Sequence, residues 1–448
     1  MQKTTELKRN LGFFSVFVIG LSLLTPSTVF TVFGIASTNS DGHVPAVYIF
    51  AFIAIMFTVL SYTHMVKVFP KAGSAYTYVQ QTFNPNLGFL VGWGTLFDYL
   101  FLPMVYVLSI VVYMNPLFPS VPIWIWIVGP LLIMSLCNLF SVKIAVSFSA
   151  FLVTLQLIIT GIFIGLLITY HNGLTGSGEL FSIEPFISGN LSIAVILSGS
   201  VILAYTFVGF DAISTLAEET INPTKTLPRA MIALVIFLGI LYTAITYFMQ
   251  RSFPDTSVFS NPDSAAVEIA QQVGGMLFTS IFTGIIIASI LVGGIAAQMS
   301  TSRLLFAMGR DNVFPRKIFG YLHPKSGIPV YNIIITAVVS LISLFLSLDV
   351  AASVISFGAF TAFTFVNLCV IMHFIINQKM RSLKALILYL AFPIIGLSFI
   401  GLMWYNIDKT ALTLGIIWNA IGFIVLIFIT KSFKKSAPSL NFSESPVN

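Results

Sequence analysis

The sequence alternates between long apolar stretches and short polar connections along almost its whole length. Twelve of these stretches are each close to the roughly 20 residues that a helix needs to cross about 30 Å of hydrocarbon. They run from Leu11 to Ser37, Val44 to Met65, Leu87 to Val112, Pro122 to Phe140, Ile144 to Tyr170, Ile193 to Leu216, Pro228 to Phe253, Met276 to Thr301, Pro329 to Leu346, Val350 to Ile376, Ala385 to Ile407 and Leu412 to Lys431. The pattern predicts an all-α membrane protein with twelve transmembrane helices, called spans one to twelve below.

Span six carries a charge where a membrane helix normally has none. Asp211 lies near the middle of the stretch, two residues after Gly209. An aspartate at the bilayer centre costs about 2.5–3.5 kcal/mol on insertion scales, so such a residue usually faces an interior cavity. We therefore interpret this region as a break in the helix that holds a substrate, although Asp211 could instead only cap the second half-helix. The candidate binding residues are Tyr205, Thr206, Phe207, Gly209, Phe210 and Asp211.

Span one is interrupted at its centre by Pro26. Proline lacks the N–H that an unbroken helix uses, and hydroxyl side chains can satisfy the backbone groups that are freed. Thr25, Ser27 and Thr28 supply such hydroxyls. Alone, Pro26 fits a simple kink as well as a binding site. Spans one and six lie five helices apart and so run in opposite directions, and paired interruptions of this kind indicate an inverted-repeat transporter with its site near the midplane.

The composition supports a membrane protein and excludes several other classes. Only 8% of the 448 residues are charged and 57% are hydrophobic, which is too little charge to cover a water-soluble fold. The net charge of +6 does not indicate nucleic acid, because nineteen of the 21 basic residues fall on one side of the predicted spans and only Arg251 and Lys409 on the other. The positive-inside rule then places both termini in the cytoplasm, and we expect the chain to lie in the cell membrane.

The sequence gives no sign of a catalytic or metal site. The two cysteines lie inside apolar runs, and the five histidines are scattered without the spacing of metal ligands. No nucleophile with a neighbouring base is evident. We therefore predict a protein that is not an enzyme and that binds no metal or cofactor.

Two carboxylates fall inside predicted spans, Asp98 in span three and Asp211 in span six. A desolvated carboxylate can take up and release a proton near neutral pH, and a fixed negative charge suits a ligand ammonium group. The alternative for Asp98 is a hydrogen bond with a serine or threonine of a neighbouring helix. Tyr99 follows Asp98, and a desolvated aromatic face attracts a cation by about 0.5–2 kcal/mol. Core packing is the alternative for each aromatic residue near these acids.

Three stretches of the chain resemble the amino acid–polyamine–organocation permeases. They are FVGFDAISTLAEE in span six, FPKAGSAYTYVQQTFNPNLGFLVGW from Phe69 to Trp93, and RLLFAMGRDNVFP from Arg303 to Pro315. The phrases LTPSTVF, SDGHVPA, FDYLFLPM, MGRDNVFP and AFTFVNL resemble the bacterial putrescine importers within that family. The likeness covers essentially the whole chain. It implies one transporter domain over 1–448 with a LeuT-like fold of five plus five inverted helices and two more appended.

The resemblance also divides the domain. The first repeat would span 11–170, the second 193–376 and the appended helices 385–431, with a cytoplasmic tail over 432–448. We expect this tail to be disordered from residue 436, because its sequence is polar.

The resemblance implies uptake of a small amine or amino acid, coupled to protons by alternating access. Asp211 matches a position that carries an acid linked to proton coupling in related polyamine and arginine/agmatine carriers, and Tyr205 matches an aromatic gate position. Putrescine has two ammonium groups and no carboxylate, so Asp98 and Asp211 favour it over a zwitterion, and an amino acid permease is the alternative. Span five has Gln156 where many of these permeases have a lysine, so exchange and uniport stay open. The expected partners are substrate, protons and lipid, with no nucleic acid; the sequence does not predict an oligomeric state.

Charged residues near the predicted cytoplasmic ends of the spans have a different expected role. Glu218 and Glu219 follow span six, and we expect them to form gate salt bridges rather than to bind a ligand. Arg303, Arg310 and Asp311 follow span eight and are expected to form gate or anchor pairs.

Overall fold

The computed structural model describes residues 9–140, 142–175, 181–187, 192–255, 265–324 and 326–438. Within these residues the chain is helical, and the one strand-like pairing is an isolated bridge between Leu11 and Thr220. The prediction of an all-α fold is confirmed for this part of the chain.

The α-helices are α1 Phe13–Leu24, α2 Thr28–Asn39, α3 Val44–Val68, α4 Ser74–Thr82, α5 Pro85–Leu117, α6 Ile123–Phe140, α7 Val142–Thr175, α8 Ile193–Ala204, α9 Pro223–Ser252, α10 Ala265–Arg310, α11 Arg316–Phe319, α12 Val330–Ser340, α13 Leu348–Val370, α14 Leu383–Leu386, α15 Phe392–Tyr405 and α16 Lys409–Ile429. Shorter 3-10 pieces cover Tyr205–Phe207, Phe210–Leu216 and Leu341–Phe345. Two π-helical pieces, Ile371–Asn377 and Ile387–Ala391, extend α13 and join α14 to α15. Helix α10 changes direction at Gly275, whose φ is 69°.

Nine helices among the described residues are long and apolar enough to cross a membrane, or ten if α1 and α2 form one bent span. The nine coincide with predicted spans two to five, seven, eight and ten to twelve, and the bent pair coincides with span one. Predicted spans six and nine correspond to helical pieces over 193–216 and 330–345, which are interrupted or shorter. Twelve crossings therefore stay a prediction.

The outer surface of the helices is apolar, and side chains such as Ile240, Met276 and Phe345 are exposed on it. A water-soluble protein rarely exposes so much contiguous apolar surface. The interior, by contrast, buries many polar side chains, including Asp98, Gln156 and Asp211. This arrangement is the one expected of helices that face lipid on the outside and enclose polar groups.

Helix α16 is fastened to α5 by a reciprocal pair of tryptophans. The indole N–H of Trp93 donates to the Trp418 carbonyl at 2.9 Å, and that of Trp418 donates to the Trp93 carbonyl at 2.7 Å. Their rings are stacked with centroids 5.0 Å apart. Phe97 also stacks on Trp418, with ring centroids 4.8 Å apart. The last long helix is thus bound to the helix that carries Asp98.

The segment after α16 folds back onto the protein. Lys431, Ser432 and Phe433 all have positive φ, from 52° to 64°, which turns the chain sharply. The Ala437 N–H donates to Asn86 Oδ1 at 2.8 Å, and Ala437 is buried. The expectation of disorder from residue 436 is therefore wrong for residues 436–438, because a small apolar side chain and a free N–H find partners there. Residues 439–448 lie outside the described part of the chain.

Candidate functional site

The helical path of α1 and α2 breaks where Pro26 was expected to interrupt it. Helix α1 ends at Leu24, α2 begins at Thr28, and the two axes differ by 43°. Thr25 leaves helical geometry with φ 40° and ψ 94°. Its hydroxyl donates to the Ser22 carbonyl at 2.8 Å, and the Thr28 hydroxyl donates to the Thr25 carbonyl at 2.7 Å. The hydroxyls beside the proline therefore satisfy part of the broken backbone, as the sequence predicts.

Two tyrosines from other helices bind carbonyls that the break leaves free. The Tyr106 hydroxyl of α5 donates to the Leu23 carbonyl. The Tyr242 hydroxyl of α9 donates to the Leu24 carbonyl at 3.3 Å. Buried carbonyl groups need such partners, so these two side chains hold the end of α1 in place.

A second break follows α8. Two short 3-10 pieces replace a continuous α-helix, and Gly209 joins them with a φ of 113°, a conformation that favours glycine. The Thr206 hydroxyl donates to the Leu203 carbonyl at 2.6 Å. The two breaks lie next to each other. A Cβ built on Gly209 would lie only 3.8 Å from the carbonyl oxygen of Leu23, at the end of α1.

Asp211 lies in the first turn after this second break and is 1% exposed. Its Oδ2 accepts a hydrogen bond from the Tyr99 hydroxyl at 2.9 Å. Its Oδ1 is buried and meets no donor at hydrogen-bonding distance and angle. The amino end of a helix favours a negative charge, so this position suits a carboxylate that still has capacity to bind.

Asp98 precedes Tyr99 on α5 and is 2% exposed. Its Oδ1 is buried without a hydrogen-bond partner among the described residues. The ion pairs in the described part of the chain involve neither Asp98 nor Asp211. The two acids lie close together, because Tyr99, which donates to Asp211, is the residue next to Asp98. Two buried carboxylates without a basic partner favour a cation or a proton between them.

A cavity of about 440 Å³ adjoins both breaks. It extends along α2 and the second half of α5. It therefore begins at the carboxyl end of α1, opposite the end that carries Leu11. Its wall is apolar with interspersed hydroxyl groups and includes no charged side chain. The hydroxyl-bearing residues of the wall are Thr25, Ser27, Thr28, Thr31, Tyr106, Ser109, Tyr113 and Thr206.

The structure divides the predicted site residues into three sets. Thr25, Ser27, Thr28 and Thr206 line the cavity. A second set lies at the breaks or beside the cavity without forming its wall. These residues are Pro26, Asp98, Tyr99, Gly209 and Asp211.

The third set comprises the two phenylalanines, which are packed in the core. The Phe207 ring contacts Tyr242 with centroids 5.6 Å apart, and the Phe210 ring contacts Tyr62 at 5.3 Å. Neither belongs to the cavity wall. The side chain of Tyr205 lies outside the part of the chain that the structure describes.

Sequence reasoning missed one side of the cavity. Tyr106, Ser109 and Tyr113 were not singled out, although they follow Asp98 at helical spacing on α5. A run of polar residues at intervals of three and four along one apolar span indicates a face turned toward other protein groups. That periodicity is the signal that could have found them.

The other end of the helices is closed by ion pairs. Arg303 of α10 donates to both carboxylate oxygens of Glu219, with Nη2 to Oε2 at 2.9 Å. Arg310 Nη1 lies 2.7 Å from Glu218 Oε2. The Glu219 carbonyl also accepts the N–H of Leu11 at 3.0 Å. The prediction that these glutamates and arginines form salt bridges is confirmed.

Asp311 extends this charged group. Its Oδ2 accepts from the Tyr76 hydroxyl at 3.0 Å, and its Oδ1 lies 3.5 Å from Arg310 Nε. Burial raises the pKa of Asp311 to about 6, although the charge of Arg310 and the hydrogen bond from Tyr76 oppose the rise. The carboxyl group can therefore gain a proton at mildly acidic pH.

Known proteins are similar to this sequence over nearly its full length. The family model for amino acid permeases matches residues 15–441. The chain belongs to the amino acid permease family. The permease is 41% identical over 441 residues to the low-affinity putrescine importer PlaP of Escherichia coli strain K12, covering 97% of this chain and 96% of that protein.

Two further relatives differ in what they are named for. The permease is 24% identical to the branched-chain amino acid permease BcaP of Bacillus subtilis strain 168, over 96% of this chain and 95% of that one. It is also 24% identical to the methylthioribose transporter of the same organism, over 94% of each chain. The resemblance found in the sequence is confirmed, and the permease is a polytopic membrane transporter rather than an enzyme.

Proposed function

We propose that this permease imports a small organic diamine, with putrescine as the best candidate, by proton symport and alternating access. The observation that carries the proposal is the pair Asp98 and Asp211, buried without a basic partner beside a hydroxyl-lined cavity. A ligand with two ammonium groups compensates two buried negative charges. The 41% identity to a putrescine importer supports the same substrate class.

The proposed fold is the LeuT-like arrangement of twelve spans. The first repeat covers 11–170, the second 193–376 and the appended helices 385–431. In this proposal the two breaks would occupy corresponding positions of the two repeats, as expected of inverted-repeat transporters. In this proposal the ends that carry Leu11 and Glu219 face the cytoplasm, so the cavity faces outward and the ion pairs close the inner side.

The proposed site lies between the two breaks. Hydroxyl groups replace water around the incoming cation; they belong to Thr25, Ser27, Thr28 and Thr206. Pro26 and Gly209 interrupt the two helices, which leaves backbone groups without helical partners at the site. The acids bind the ammonium groups, and aromatic residues neighbour the acids along the chain. The aromatic residues of the proposed site are Tyr99, Tyr205, Phe207 and Phe210.

Asp211 is the proposed proton carrier, with Asp98 as its partner. One oxygen of Asp211 accepts from the Tyr99 hydroxyl at 2.9 Å, and the other meets no donor at hydrogen-bonding distance and angle, so the Tyr99 contact can hold the group while the second oxygen takes up a proton. Two interacting acids titrate as a pair. A proton bound to the pair on the outer side can therefore enter with the ligand.

An amino acid substrate is the second candidate. The amino end of α2 begins at Thr28 beside the cavity, and helix amino ends bind carboxylates. The relative BcaP, named as a branched-chain amino acid permease, is consistent with that chemistry. If a zwitterion displaces putrescine as effectively as a second diamine does, the amino acid alternative is favoured.

The test is uptake of labelled putrescine into proteoliposomes, with the pH gradient and the membrane potential imposed separately. The potential alone yields about 2.3 kcal/mol per charge per 100 mV, so only separate gradients distinguish symport from uniport. We expect Asp98→Asn and Asp211→Asn each to abolish uptake while the protein still inserts. Glu184→Gln, which removes an exposed acid, should transport normally. Normal transport by both aspartate variants would refute the site.

A further inference from the structure

Asp98 is pressed against helix α13 at a single glycine. A Cβ built on Gly358 would lie 2.5 Å from Asp98 Cβ, 2.8 Å from Asp98 N and 2.9 Å from the Gly94 carbonyl oxygen. All three obstructing atoms are backbone atoms or the first side-chain atom of α5. None of them can rotate away, so α5 and α13 can approach this closely only if residue 358 has no side chain.

Asp98 shares one face of α5 with the wall of the cavity. Leu102, Val105 and Ser109 line the cavity and follow Asp98 at intervals of four, three and four residues, which keeps all four on one side of a helix. Four residues advance a helix by about 6 Å. Asp98 therefore lies about one turn before Leu102, the first α5 residue of the cavity wall. One of its carboxylate oxygens is buried without a hydrogen-bond partner.

We propose that Gly358 is a specificity-determining positioning residue that sets the depth of Asp98 beneath the cavity and thereby selects the length of the ligand. The inference rests on the proposed function, in which Asp98 binds an ammonium group. In the proposed function Asp98 and Asp211 each bind one ammonium group. A diamine can therefore bind both acids only if the distance between its two charges matches the distance between the two carboxylates. The close approach at Gly358 fixes one end of that distance.

A matched control lies one turn earlier on α5. A Cβ on Gly94 would meet Thr361 Cγ2 at 3.3 Å and Asn419 Oδ1 at 3.4 Å. These are the ends of side chains, which can shift by a few tenths of an ångström. Gly94→Ala thus adds the same methyl group to the same contact between α5 and α13, from the α5 side, where only side-chain ends have to shift.

The experiment measures inhibition of putrescine uptake in proteoliposomes by 1,3-diaminopropane, cadaverine and n-butylamine. We expect Gly358→Ala to weaken putrescine binding at least about 10-fold, the usual effect of losing a contact with a charged group, and to change the order of preference among the diamines. Binding of n-butylamine, which has one ammonium group, should change less than about twofold. Gly94→Ala should preserve the preference, and an equal loss for all ligands in Gly358→Ala would overturn the proposal.

A double variant asks whether Gly358 acts through Asp98. Because Asp98→Asn is expected to abolish uptake, the diamine preference of variants that carry this change is measured as direct binding to the purified protein. In Asp98→Asn/Gly358→Ala the loss of diamine preference should equal that of Asp98→Asn alone, whereas additive losses would contradict the proposal. If Gly358→Ala does not fold, Asp98→Glu provides the test, since a longer acid should move the preference to 1,3-diaminopropane. An unchanged preference in Asp98→Glu would refute the inference.

The two proposals fail in different ways. If wild type binds n-butylamine as tightly as putrescine and Asp98→Asn changes nothing, the proposed function is wrong. If Asp98→Asn removes the diamine preference and Gly358→Ala retains it, only the role of Gly358 is wrong.

Discussion

The cavity and the closed end of this permease use polar groups in opposite ways. The cavity wall presents hydroxyls and no charged side chain, whereas the closed end buries the ion pair of Arg303 and Glu219, with Arg303 only 3% exposed. Hydroxyls can exchange partners at small cost, and a buried ion pair resists separation because each ion alone is strongly disfavoured. The wall is thus suited to a ligand that binds and leaves, and the ion pairs to a closure that opens only at an energetic cost.

Asp98 and Asp211 lie between these two regions and share features of both. They are charged groups like those of the closed end, but they lack basic partners among the described residues. The difference indicates that pairing decides the role of a buried charge: a paired acid closes the protein and an unpaired one is available for a ligand or a proton.

The largest effect is expected when one partner of a buried ion pair is removed. Arg303→Met leaves Glu219 buried and alone, which typically costs about 3–5 kcal/mol. We expect the thermal unfolding midpoint in detergent, followed by size-exclusion chromatography of heated samples, to fall by several degrees. Arg303→Met/Glu219→Leu removes both charges and should recover most of the loss. A midpoint unchanged in the single variant would show that this pair does not hold the closed end.

A smaller effect is expected at the cavity end. Tyr106→Phe leaves the Leu23 carbonyl without its hydroxyl partner, and a buried unsatisfied group costs about 1–3 kcal/mol. Since this bond holds α1 at the break, KM for uptake should rise several-fold while the unfolding midpoint falls slightly. Tyr405→Phe, on the exposed surface, is the control. If KM stays at the wild-type value, Tyr106 does not shape the break.

The smallest expected effect is a pH dependence at the closed end. Burial raises the pKa of Asp311 to about 6, above the value of about 4 expected in the unfolded chain. The folded protein then holds this proton more tightly, so Asp311 contributes stability that is present below pH ~4 and lost as pH rises through ~6. Asp311→Asn should flatten that part of a plot of unfolding midpoint against pH. A slope identical to wild type would assign the effect to other acids.

Residue chemistry predicted much of this structure from the sequence. Pro26 and Gly209 indicated both helix breaks, because a missing N–H and a positive φ are local properties. The motif residues Glu218 and Arg310 indicated an ion pair, because charges at helix ends seek partners. Which acid pairs with which base depends on how α10 crosses the second break, and no local pattern contains that.

The remaining features depend on packing between distant segments. The role of Tyr106 at the first break follows from the approach of α5 to α1, and the spacing of polar residues on α5 indicates only a buried face, not a partner for Tyr106. Phe207 is a candidate for the site, and its ring contacts Tyr242; the sequence alone does not show whether an apolar ring in a span faces a cavity or the core. Ala437 was expected in a disordered tail and is buried, because Asn86 lies within reach of its N–H.

The stacked indoles of Trp93 and Trp418 give the permease an optical reporter of its own. Two of its five tryptophans are 5.0 Å apart, so their electronic transitions couple and should produce a paired positive and negative band in far-ultraviolet circular dichroism. Loss of that couplet in Trp418→Phe would assign it. Its persistence or decay during turnover would then reveal, without any attached dye, whether the last long helix travels together with the helix of Asp98.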